Sequence, residues 1–320
     1  MIKNRCTYLC NLKLLLIVLV VLGHSLEQIN AQDSMIYRII YLFHMPLFAF
    51  VTGLHLKTVE KSLRQARTAA LFYVPIQGVI VLAGQLAGDS SMRLTVPFWH
   101  LWYLLSLCLW ALMAAALRPW LERHTCGGAL LLFAAAACSL LCGVLPFGKF
   151  LSLSRTVCFF PFVLLGILCP VKLQEGLAAK TRCLLAAVGG LGIIPLWVVL
   201  KNVPYEFFYH AAGYDKFLFS VAEGCFLRGC SLLAAFCLGA LVLAAVPGRR
   251  LPVTKIGGDT LPAYLLHIVF VPLAALFRTD GGSGWLVTVL FGIFSFVVVL
   301  LIWEFGRWSR PMYTVTSQRF

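Results

Sequence analysis

Lys13 and His24 bracket a run in which almost nothing else is polar, Lys13-Leu14-Leu15-Leu16-Ile17-Val18-Leu19-Val20-Val21-Leu22-Gly23-His24. Eleven residues of helix rise about 16 Å, half the hydrocarbon core of a bilayer. That places a cation at one membrane face and an imidazole at or past the middle. Ionisable groups kept in lipid are costly, so they point to function. Histidine is the side chain best suited to move a proton near neutral pH.

Other polar groups interrupt apolar sequence. His44 lies in Phe43-His44-Met45-Pro46, His100 in Trp99-His100-Leu101-Trp102, Arg155 in Ser154-Arg155-Thr156, and His267 in Leu265-Leu266-His267. Each has a structural reading beside a chemical one. His44 suits a carbonyl freed by Pro46. His100 sits at a membrane boundary, where solvation suffices. Glu223 and Arg228 are five apart, so they make poor helical neighbours and pair with other helices or take part in catalysis. His24 and His267 lie in otherwise apolar segments, which favours chemistry. Arg64 and Arg67, three apart, share a helical face that suits phosphate. The plainer reading of the two is a membrane-side anchor.

The elements that must position these groups are transmembrane helices. The 320 residues are 61% hydrophobic and only 12% charged, half the charge of a soluble domain. The pattern predicts an all-α integral membrane protein, a polytopic bundle of about ten spans: 12–30, 36–54, 69–87, 99–117, 127–145, 156–170, 183–200, 218–246, 260–277 and 284–305. Residues 1–306 form the transmembrane domain and 307–320 a short basic tail. With both termini in the cytoplasm, most of the 26 Lys and Arg residues fall on inner loops, as the positive-inside rule requires. The first apolar run is long enough for a span, so it reads as a helix and not as a cleaved leader. The net charge of +14 belongs to those loops and not to a nucleic-acid surface. Twelve cysteines lie mostly inside spans without CxxC spacing, which reads as packing, with no metal site. The aromatic loop Lys201–Phe217 is expected to lie in the membrane interface, with a lid or sugar-stacking surface as the alternative.

Taken together, these fragments resemble the acyltransferase-3 family of membrane O-acyltransferases. They are the Lys13-to-His24 spacing, the stretch Phe43–Phe48 followed by Thr52-Gly53, the Arg64/Arg67 pair, His100 to Leu104, Ser154 to Gly166, and Gly257 with Thr260 to His267. The texture is closest to fucose 4-O-acetylase-like members. It is also similar to the membrane domain of membrane-bound serine racemases, without the racemase part.

The resemblance implies transfer of an acyl group, commonly acetyl, from cytoplasmic acetyl-CoA to a hydroxyl of an extracytoplasmic glycan or related cell-envelope acceptor, in a bacterial-type plasma membrane. No bound cofactor is expected; acyl-CoA is a co-substrate. Lys13, Arg64 and Arg67 would hold the donor. His24 would act as general base or as acyl carrier. Arg155 would stabilise an oxyanion or orient the acceptor, with His267 and Glu223 as weaker catalytic candidates. His44, His100 and Trp102 would bind substrate. Buried His, Arg and Glu with a proline-bearing sixth span also suit a proton-coupled transporter, the rival reading.

Overall fold

A computed structural model describes residues 7–89, 91–145, 147–169, 176–277 and 285–308. Among these residues, ten α-helices run in chain order: α1 (Thr7–Gln28), α2 (Met35–His55), α3 (Val59–Leu86), α4 (Trp102–Arg123), α5 (Gly127–Leu141), α6 (Leu153–Leu168), α7 (Ala179–Leu200), α8 (Val221–Ala245), α9 (Leu261–Phe270) and α10 (Trp285–Trp308). Among the described residues, nine helical segments are long and apolar enough to cross a membrane. The ninth expected span is instead a short α9 that continues as a 3₁₀ turn over Val271–Phe277. Residues 309–320 of the expected tail, and Pro170 of the expected sixth span, lie outside the described residues.

The surface carries many large apolar side chains, and the interior holds polar groups beside its apolar core. Leu71, Leu86, Phe133 and Leu191 are exposed, while His44, His100, Arg228 and His267 are buried. Apolar side chains turned outward suit lipid, and polar ones turned inward suit helix-to-helix hydrogen bonds. The most enclosed helix is α1, with 72% of its apolar window buried, against 11% for α7.

Helix α3 begins ten residues before the expected span. Thr58 caps it by accepting from the Lys61 amide, and Glu60 occupies the first turn, where an acid complements the helix dipole. Arg64 and Arg67 therefore belong to α3 itself.

The chain divides into two compact units, with boundaries inside α2, α7 and α8. Unit 1 comprises Met1–His44, Lys172–Gly190 and Leu238–Phe320. Here α1 packs against α9 and α10. Its start is clasped by the segment after α8: Asn11 donates to the carbonyls of Pro247 and Arg249, and Thr254 donates to Asn11. Gly257 sits against the backbone of α1, where an added Cβ would meet the Cys10 carbonyl at 1.8 Å.

Unit 2 comprises Met45–Val171 and Leu191–Cys237. Trp110, Phe159, Val163 and Ala49 lie in its apolar core. Helices α2 and α6 meet through Gly53 and Gly166. A Cβ on Gly53 would lie 2.0 Å from the Val163 carbonyl, and one on Gly166 2.1 Å from that of Phe50. Such small-residue contacts let helices approach closely in lipid, where apolar burial offers little drive. Pro161 inside α6 leaves the Val157 carbonyl without its helical donor; the Ser139 hydroxyl donates to it at 3.1 Å. Lys57 closes the other end of α6 by donating to the carbonyls of Gly166, Ile167 and Cys169.

Candidate functional site: a histidine–carboxylate cluster and a cationic cavity

Unit 1 assembles His24 at the end of α1. Eleven residues at 3.6 per turn return to within about 20° of the start, so Lys13 and His24 occupy one face of one helix. One turn beyond His24, Glu27 shares that face: the His24 Nδ1 lies 3.1 Å from Glu27 Oε2. Tyr37 and Tyr41, one turn apart on α2, both donate to Glu27 Oε1, Tyr37 at 2.7 Å. Their rings stack with centroids 4.1 Å apart, so one tyrosine supports the other. An ionised carboxylate only accepts hydrogen bonds, and Glu27 receives three donors.

This arrangement selects a tautomer. With Nδ1–H directed at Glu27, the lone pair of neutral His24 lies on Nε2. That is the logic of a carboxylate-oriented general base: the acid holds the ring in place and stabilises the imidazolium once it forms.

His267 joins the cluster. Its ring stacks on His24, with centroids 5.4 Å apart and planes 21° apart. Its Nδ1 lies 2.7 Å from the Tyr264 carbonyl and 3.1 Å from that of Ala263, which fixes the proton there. His44 borders the same group, with Tyr41 edge-on at 5.0 Å. Its Nδ1 contacts the Ile40 carbonyl at 2.6 Å, and not the Leu42 carbonyl that Pro46 deprives of its donor.

Of the sequence candidates, unit 1 thus brings together His24, His267 and His44, with Lys13 further along α1. Sequence reasoning passed over Glu27, Tyr37 and Tyr41. The signal for Glu27 was available as the i, i+3 spacing from His24.

The remaining candidates belong to unit 2. Arg64 and Arg67 are exposed on α3, and Arg64 meets Glu60 at 3.5 Å, a surface pair of little energetic weight. His100 is buried in the 3₁₀ turn Trp99–Leu101 that precedes α4. Glu223 is exposed in the first turn of α8, again complementing the dipole. Arg155 and Trp102 face each other, the guanidinium 4.6 Å from the ring centroid. Both line a cavity of about 90 Å³ with Trp99, Lys149 and Ser152.

The aromatic loop is not spread along an interface as expected. Phe207, Phe208, His210 and Tyr214 are buried. Polar bonds dock the loop: Arg155 Nε donates to the Tyr209 carbonyl at 3.1 Å, Ser154 to that of His210, and the Tyr214 hydroxyl to that of Leu140. Gly143 and Gly224 leave room for the Tyr214 ring, since a Cβ on either would lie 2.3 Å from it. Burial holds the His210 pKa well below its ordinary value, and the charges of Arg228 and Arg155 push it the same way.

A family model described as an acyltransferase domain matches residues 7–304. No curated protein and no solved structure matches the chain.

Proposed function

The chain belongs to the acyltransferase-3 family and is a multi-pass membrane acyltransferase, and on that premise we propose that it moves an acetyl group from cytoplasmic acetyl-CoA to a hydroxyl of an extracytoplasmic glycan or related cell-envelope acceptor. The observation that carries this reading is the His24–Glu27 pair, a base with its tautomer set and a carboxylate to balance its charge. The finer likeness to fucose 4-O-acetylase-like members and the charge bias of the loops support a sugar hydroxyl and a bacterial-type plasma membrane.

In the direct route, His24 Nε2 takes the acceptor's hydroxyl proton as the oxygen attacks the thioester carbonyl. The tetrahedral intermediate collapses with loss of the CoA thiolate, which takes the proton back from the imidazolium. Glu27 stabilises that imidazolium throughout. In the stepwise route, Nε2 attacks the thioester carbonyl and expels the CoA thiolate; the acceptor hydroxyl then attacks the acyl-imidazolium, yields its proton to that thiolate and restores neutral His24.

Charge at the other end of α1 supports a phosphate-bearing donor. Lys13 lies about 16 Å from His24 along the helix. The segment clasped to the start of α1 carries Arg249, Arg250 and Lys255, and Arg182 lies 5.9 Å from the Tyr8 ring. Guanidinium and ammonium groups bind phosphate well. Exposed Arg64 and Arg67 are proposed as further donor contacts, so Arg64→Ala raises the KM for acetyl-CoA more than that for the acceptor.

The test uses purified protein with radiolabelled acetyl-CoA and cell-envelope glycans, with His24→Ala alongside. Transfer falls about 10²–10⁴-fold in the variant while the protein remains folded. Label held on the wild-type protein before acceptor is added marks the stepwise route. Wild-type transfer by His24→Ala overturns the assignment of His24. Substrate flux without thioester consumption would favour a proton-coupled transporter instead.

A further inference from the structure

Unit 2 carries a cavity whose chemistry differs from that of the histidine cluster. Two tryptophans, Trp99 and Trp102, and two cations, Lys149 and Arg155, line it with Ser152 and small residues, and no carboxylate lines it among the described residues. Its volume of about 90 Å³ gives room for several waters, or for a carboxylate or phosphate with part of a ring. Ser152 is the N-cap of the sixteen-residue α6 and makes no side-chain cap bond, so the positive end of that helix borders the cavity as well. Behind the docked loop, Arg228 is fully buried, and its Nε and Nη1 have no hydrogen-bond partner among the described residues. Neither Lys149 nor Arg228 makes an ion pair among those residues.

Two lining residues and two chain neighbours of the lining are held in unusual backbone conformations. Trp99 and Ser152 have positive φ, at 24° and 56°, as do Leu151, next to Ser152, and His210, next to Ala211, at 46° and 50°. Such conformations in residues other than glycine persist where surrounding contacts enforce them, and they gather at ligand sites. The contacts are visible here. Leu151 N–H donates to the Thr95 carbonyl at 2.7 Å, and buried Gln77 donates to the carbonyls of Arg93 and Val96 while accepting from Phe98 N–H. On the other side, Arg155 and Ser154 hold Tyr209 and His210. Three chain segments are thereby braced around one small positive space.

We propose that this cavity binds an anionic sugar residue: indole faces for the ring, and Lys149 with Arg155 for a carboxylate or phosphate on it. Indole supplies a large apolar face with little conformational loss. A guanidinium matches a carboxylate or phosphate with paired hydrogen bonds. Arg155 is already oriented by its bond to Tyr209 and its stacking on Trp102, so binding costs little ordering. Identifying the bound residue with the acceptor, or with part of it, rests on the acyltransferase reading; the binding itself does not. On this view Arg155 orients the acceptor, and the substrate class is an acidic glycan.

Binding is measured on the full chain in detergent by tryptophan fluorescence and calorimetry, without acetyl-CoA. The probes are methyl β-glucuronide, methyl β-glucoside and inorganic phosphate. The glucuronide is expected to bind at least tenfold more tightly than either of the others. Exposed Lys149 can be changed without cost to packing. Lys149→Gln is expected to erase the preference over the glucoside, and Lys149→Arg to keep it. Equal affinity for glucuronide and glucoside, or full preference in Lys149→Gln, overturns the proposal. Phosphate binding as tight as glucuronide reduces the cavity to a plain anion site and overturns the sugar assignment. Acetyl transfer to neutral glycans with glucuronide selectivity intact would separate the cavity's ligand from the acceptor and leave the binding claim standing.

Discussion

The two polar regions of this molecule handle charge in opposite ways. In unit 1, Glu27 collects three donors, and a stacked imidazole completes the cluster. In unit 2, Lys149 and Arg155 flank a cavity lined, among the described residues, by no carboxylate, and buried Arg228 adds a further cation nearby in that unit. The first arrangement suits a proton that must leave an atom and return, because donor and acceptor are matched in place. The second suits a stationary anion, because two cations are held beside one small cavity.

Four changes would break or sharpen that contrast. The largest effect is expected from Glu27→Gln, which keeps the size of the side chain and removes its charge. If Glu27 sets the His24 tautomer, kcat falls about a hundredfold or more with little change in glucuronide affinity. A matching loss of binding would show that the two regions are not functionally distinct. Next is Gly53→Ala, whose new methyl group meets backbone at 2.0 Å. It should destabilise the protein by about 1–3 kcal/mol, read as a lower midpoint in detergent thermal unfolding.

Tyr41→Phe removes one donor to the carboxylate and leaves Tyr37 in place. A loss of about tenfold in kcat is expected, the worth of one charged hydrogen bond. An unchanged rate would assign Tyr41 to packing alone.

The smallest effect is pH-dependent. The pKa of buried His210 lies well below its ordinary value in the folded state, so the unfolded chain takes up a proton first as pH falls. The stability this residue allows is complete above about pH 6.5 and declines below it, by up to about 1.4 kcal/mol per pH unit. Comparing unfolding midpoints at pH 7.5 and 5.5 tests this, and His210→Gln should flatten the difference.

Much of the helical frame was legible before any coordinates. Long apolar runs announce spans, and the Lys13-to-His24 spacing places both groups on one helix, since helical period is a local property. The family fragments Thr52-Gly53 and Leu165-Gly166 turn out to be the two halves of one close contact between α2 and α6. The choice of carboxylate was harder. Glu223 was singled out as an acid within a span, yet it is exposed at a helix start, whereas Glu27, inside the first expected span, was not singled out. Its importance depends on two tyrosines from another helix. The aromatic loop misled for a similar reason: amphipathic rings suit a membrane interface, and only its docking by Arg155, Ser154 and Tyr214 reveals a buried plug.

Sequence alone determined the class of protein, the run of helices, the acyltransferase family and the spacing that puts Lys13 and His24 on one helix. These follow from hydropathy, helical period and short spaced motifs, all readable along the chain. Tertiary structure alone decided which carboxylate serves His24, that His267 stacks upon it, and that Lys149 shares a cavity with Arg155. Between helices in lipid, association rests on shape and individual hydrogen bonds and not on a hydrophobic pattern, so those pairings leave little periodic trace in the sequence.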